Sequence, residues 1–93
     1  MRHVKNRLLD LVFRHEREQS ETVKALIAAT YAAASRIRAD CSELAKRRYR
    51  KGEHRYKTCW DMHISESQYY KLLGKFLSVA KAKLVTRAVV TAF

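Results

Sequence analysis

A chain of 93 residues with no proline, only two glycines and 47% hydrophobic residues supports one small all-α domain and argues against a large catalytic cleft. Its formal charge of +11 is uneven, since residues 1–43 carry eight Lys/Arg against six Asp/Glu and residues 44–93 carry twelve against three; the basic half suits a polyanion, nucleic acid before an anionic membrane surface. No leader pattern or run of eighteen apolar residues stands out, and Cys41 and Cys59 show no disulfide spacing, so a cytoplasmic protein with reduced thiols and no membrane partner is expected.

Residues 1–19 read as a first helix with Val4, Leu8, Leu11, Val12 and Phe13 on its apolar face. The polar stretch from Glu16 to Glu21 marks a break, with Ser20 as the cap of the second helix. From Glu21 to Arg38, Val23, Leu26, Ile27, Thr30, Tyr31, Ala34 and Ile37 recur at helical spacing. The alanines of that helix, among them Ala28, Ala29, Ala32 and Ala33, allow another helix to come close, as an internal scaffold or as a homodimer seam. Asp40 is expected to cap a third helix, Cys41 to Arg50, which Gly52 ends in the left-handed conformation. Leu44, Ala45, Arg48 and Tyr49 then share a face.

The stretch from Arg55 to Lys83 parses as a short helix, a tight turn and a longer helix. Tyr56, Cys59 and Trp60 are expected to turn inward, with Trp60 at the centre of the core and Asp61 to His63 as connector. Ser65 and Gln68 have the spacing of a capping box, and Ile64 that of a hydrophobic staple onto Tyr69. The long helix, residues 66–83, carries Tyr69, Leu72, Leu73, Phe76, Leu77 and Ala80 as one stripe. Gly74 inside it suggests close packing against another helix. The apolar tail 84–93 either extends this helix or folds back. The chain thus divides into a scaffold or dimerisation segment (1–40), a second unit (41–83) and a tail (84–93), within one compact domain.

Little in the sequence supports catalysis or metal binding. His54, Cys59 and His63 lie near one another, but no CxxC or HxxxH pair accompanies them, so a core thiol and a turn histidine are the simpler reading. No serine or cysteine stands with a histidine and an acid as a nucleophilic set, and no glycine-rich phosphate loop exists. Neither enzyme activity nor a cofactor is expected.

The run A-K-R-R-Y-R-K-G-E-H-R-Y-K-T-C-W-D-M-H-I-S-E-S-Q-Y-Y-K-L-L-G-K-F-L resembles region four of the sigma-70 family and the small phage ArpU-like late transcription regulators. Tyr49, Gly52, Tyr56, Trp60, Ile64, Ser65 and Tyr69 stand at matching positions over roughly half the chain, and His63 stands where that pattern often carries glycine. The resemblance implies a helix-turn-helix in a phage or prophage transcription regulator that binds double-stranded DNA. Glu66, Ser67, Gln68, Tyr70 and Lys71 would then face base edges in the major groove, while Arg47, Arg48, Arg50, Lys51, Arg55, Lys57 and Lys75 would hold phosphates. The alternatives are a small protein that docks on a host machine such as RNA polymerase, and a DNA-packaging adaptor.

Overall fold

The computed structural model describes residues 2–84, with side chains from residue 7 onward; the tail 85–93 lies outside the described residues. Five α-helices and no strand occur among them: α1 (Arg2–Arg14), α2 (Glu21–Ile37), α3 (Ala39–Ala45), α4 (Arg55–Met62) and α5 (Glu66–Leu84). The expected first helix is shorter than its periodicity suggested. A single 3₁₀ turn, Glu16–Glu18, follows Arg14, and Ser20 then caps α2 by accepting the Val23 N–H at 3.2 Å. The break falls where the polar run placed it.

Two expected caps and bounds are corrected. Arg38, not Asp40, is the extended residue before α3, and Asp40 lies in the first turn with its carboxylate taken by the Arg38 guanidinium at 2.7 and 3.0 Å. The third helix also does not run evenly to Arg50. It widens after Ala45 into a π-helical turn, Lys46–Arg50, closed by the Lys51 N–H on the Lys46 carbonyl at 3.1 Å. The chain then leaves through Gly52, whose φ of 64° lets the Glu53 N–H reach back to the Arg47 carbonyl at 2.8 Å. That left-handed exit is the one the sequence called for.

α5 is the element on which the others are laid, packing along α2 and α3 and touching α1 and α4. Its stripe is buried throughout: Tyr69, Leu72, Leu73, Phe76, Leu77, Ala80 and, at the last described turn, Leu84. Opposite Phe76 the rings of Phe13, Tyr31 and Tyr49 close a four-ring cluster, with centroids 5.1 Å apart for Phe13 and Phe76 and for Tyr31 and Phe76, and 5.4 Å for Phe13 and Tyr49. Edge and tilted contacts at these distances add to the burial of large rings, so α1, α2, the π turn and α5 are held at one point.

Several apolar residues face the other way. In α1 the buried pair is Leu9 and Phe13, one turn apart, while Leu11 is 49% exposed. The Val4 side chain lies outside the described side chains. In α2, Ile27, Thr30, Tyr31 and Ala34 are buried but Ile37 is exposed, as are Ala28 and Ala32. Thr30 is tolerated there because its hydroxyl donates to the Leu26 carbonyl at 2.8 Å.

Trp60 is not the core residue expected: it is 81% exposed, and Tyr56 is 64% exposed. The inward face of α4 is instead Thr58, fully buried, with Cys59 and Met62 partly buried. The reason is a polar cluster beneath the helix. The Thr58 hydroxyl donates to Glu53 at 2.7 Å, and Arg47 donates to the same carboxylate at 3.1 Å, so this side of α4 is fixed by hydrogen bonds that a large ring would have broken.

Candidate nucleic-acid interface

α4 ends later than expected, at Met62, leaving His63 to Ser65 as the connector. His63 takes the left-handed conformation, φ 57° and ψ 45°, and the Ile64 N–H returns to the Cys59 carbonyl at 3.0 Å. Ile64 packs partly buried against the core. The capping box is formed as the spacing indicated: Ser65 Oγ accepts the Gln68 N–H at 3.1 Å, and Gln68 Oε1 accepts the Ser65 N–H at 3.1 Å. At the other end of α4, His54 Nδ1 accepts the Tyr56 N–H at 3.2 Å. The turn between the two helices is therefore specified from each side by the chain itself.

The first turn of α5 places its candidate residues unequally. Ser67 and Lys71 are exposed. The Gln68 carbonyl oxygen is occupied by the cap, which leaves its amide N–H₂ to face outward. Glu66 and Tyr70 turn toward α4, where Arg55 Nη1 donates to the Tyr70 hydroxyl at 2.7 Å and Arg55 Nε lies 3.7 Å from Glu66. Along the same outward side run Gly74, Lys75 and Ser78, all exposed. A Cβ built at Gly74 would meet nothing within 4 Å. The glycine thus does not serve close packing inside the molecule, contrary to expectation, and the middle of this face is a smooth strip edged by Lys71 and Lys75.

The seven candidate phosphate ligands divide by what they already hold. Arg47 donates to Glu43 at 2.8 Å, to Glu53 at 3.1 Å and to Asp61 at 3.3 Å, tying the π turn to α3 and α4. Arg48 is half-buried between Asp10 at 3.1 Å and the Tyr69 hydroxyl at 3.1 Å. Arg50 pairs with Glu16 at 3.1 Å and lies 4.2 Å over the Tyr31 ring. Arg55 is held as above, and Lys57 pairs with Asp61 at 3.0 Å. Among the described residues no acid pairs with Lys51 or Lys75, nor with Lys46 or Lys71, and these four are exposed.

Electrostatics follow from these partners. The Asp10 carboxyl would be pushed up by burial, but hydrogen bonds from Arg14, Tyr49 and Arg48 hold it below the ordinary aspartate range. Hydrogen bonding from Thr58 lowers Glu53 and outweighs its desolvation, with Arg47 adding to it; Lys57 does the same for Asp61. Burial, aided by Asp10, raises Tyr49 well above a free phenol. The charges on this side are thus fixed in ionised form as framework.

Sequence reasoning missed the carboxylates. The pairs Glu43 with Arg47 and Lys57 with Asp61 have the four-residue helical spacing that announces them, whereas Asp10 with Arg48 does not. Among the described residues no three His, Cys, Asp or Glu side chains gather as metal ligands. Nor is any described helix long and apolar enough to cross a membrane. Comparison with protein-family models, curated proteins and solved structures gives no match.

Proposed function

We propose that the chain is a regulator of transcription that binds double-stranded DNA, with α4 and α5 as its helix-turn-helix and the outward face of α5 in the major groove. The observation that carries this reading is the contrast in charge. The cations around α3 and α4 are matched by acids, while Lys71 and Lys75 stand without an acid partner on a face otherwise made of Ser67, Gly74 and Ser78. Small side chains let the helix backbone come close to base edges, and lysine supplies donors for guanine or phosphate oxygens.

In this reading Ser67, Lys71 and the free amide N–H₂ of Gln68 meet base edges, and Lys75, Lys51 and Lys46 meet phosphates. Glu66 and Tyr70 orient Arg55 toward the same region. Arg47, Arg48 and Arg50 act through the framework, holding α5 at its angle, and reach phosphate only by exchanging carboxylate partners. Lys57 holds Asp61 in the same way.

Fluorescence anisotropy of labelled random and promoter duplexes, titrated across salt, tests the proposal. Three or four released counterions give a slope of log K against log salt of roughly −3 to −4, with some duplexes preferred over others. No binding at low salt, or binding indifferent to salt, would overturn it.

A further inference from the structure

The outward face of α4 presents Tyr56 and Trp60 one helical turn apart and on the same side. With Cys59, His63 and Ile64 they border an open hollow of about 600 Å³. A contiguous aromatic patch left in water marks an interaction surface, and tryptophan and tyrosine are the residues that most often carry one.

The charges framing this patch identify what covers it. Lys57 has Asp61 at 3.0 Å, and Arg55 has Glu66 at 3.7 Å and the Tyr70 hydroxyl at 2.7 Å. In a chain of net charge +11 this face is locally balanced, unlike the α5 face beside it. A polyanion gains little from cations that already have acids. A patch bearing one free-standing pair of opposite charges at its rim is instead complementary to itself, because a two-fold axis sets each sign against its opposite. The register agrees. An axis crossing α4 between Thr58 and Cys59, with the two helices antiparallel, sets Tyr56 against Trp60 of the partner subunit and Lys57 against Asp61 of the partner subunit.

We propose that α4 is a self-docking helix, through which two copies of this chain pair antiparallel, each Trp60 ring entering the hollow of the other copy. Eight residues of helix extend only about 12 Å. The contact therefore falls in the size class of weak, transient interfaces, below about 1,200 Å² in total. The dimer forms with rising concentration and does not depend on the DNA reading above.

Trp60 is the single tryptophan of the chain, so its emission reports this contact directly. Sedimentation and tryptophan emission of the full chain, without DNA, are followed from about 1 µM to about 1 mM. A shift from monomer to dimer, with emission moving to shorter wavelength over the same range, is expected. Trp60→Ala should keep the circular dichroism and melting temperature of the parent and weaken dimerisation roughly thirtyfold or more. Lys57→Glu and Asp61→Lys should each dimerise less than the parent, and an equimolar mixture of the two folded variants should recover dimerisation by restoring both cross-pairs. A monomer throughout, a dimer indifferent to Trp60→Ala, or a mixture no tighter than its components would overturn the proposal.

Discussion

Two residues in the left-handed region end the two helices that frame the proposed reading unit, and they invite opposite substitutions. His63 has φ 57° and Gly52 φ 64°. A side chain at such a φ costs on the order of 1 kcal/mol that glycine avoids. His63→Gly is therefore expected to raise the melting temperature by roughly 4–8 °C. Gly52→Ala should lower it by a similar amount even though the new Cβ meets nothing within 4 Å, because the penalty lies in the backbone alone. Thermal melts that leave either variant level with the parent would contradict this account. A third residue bears on the core: the Tyr31 hydroxyl is buried without a hydrogen-bond partner, so Tyr31→Phe should stabilise by about 1 kcal/mol in urea unfolding, and a loss would count against it. At this scale the sequence was readable where local chemistry decides, as at Ser65, Gln68 and Gly52. It misled at Trp60, because ring size says how much burial is worth and not which side of a short helix the neighbours leave open. The hydroxyl of Thr58, bonded to Glu53, decided that side, and nothing near Thr58 in the chain announces it.

Among the elements, α5 was the most legible, since stripe, cap and entry all follow from spacing within nineteen residues. The π turn was not. Its extra residue leaves no mark on the pattern of Leu44, Ala45 and Tyr49, which fits an ordinary helix equally well, and only the Lys51-to-Lys46 bond reveals it. The division of the cations was equally hidden, because Arg48 meets an acid thirty-eight positions away. That division makes a test at this scale. Lys71→Ala and Lys75→Ala remove exposed charges with no acid partner, so each should leave the stability within about 0.5 kcal/mol of the parent while reducing the salt slope of DNA binding by about one. Arg48→Ala should do the reverse, unfolding the protein at lower denaturant by roughly 3 kcal/mol, since it leaves Asp10 half-buried and unmatched. Equal effects of the three on binding and stability would show that framework and reading face are not distinct.

For the molecule as a whole, the ring cluster and the carboxylates beside it are one construction, since Asp10 accepts from Tyr49, Arg14 and Arg48 at the edge of the Phe13, Tyr49 and Phe76 contact. Asp10, Glu53 and Asp61 all have folded pKa values below their unfolded ones. Their contribution is therefore present in full above about pH 5, where the unfolded carboxylates are ionised, and is lost as the pH falls through the lower folded values. Melting temperature should be level from pH 7 to about 5 and drop below about pH 4. Asp10→Asn should be less stable than the parent at pH 7, by about 1–3 kcal/mol, and lose less on acidification, so that the two curves converge; parallel curves would refute the assignment. The π turn has a consequence at this scale too. A ring of bonds that encloses one residue more than an α-turn holds a spare position in the chain, and it sits just before the Gly52 exit that sets the course of α4 and α5. Shortening the chain by one at Lys46, whose side chain is exposed, would let that turn close as ordinary helix. The length of this protein is thus adjustable at one place without breaking a helix, and the same change would rotate everything downstream by up to about 100° against the ring cluster, making this turn the point at which insertion or deletion re-aims the reading face.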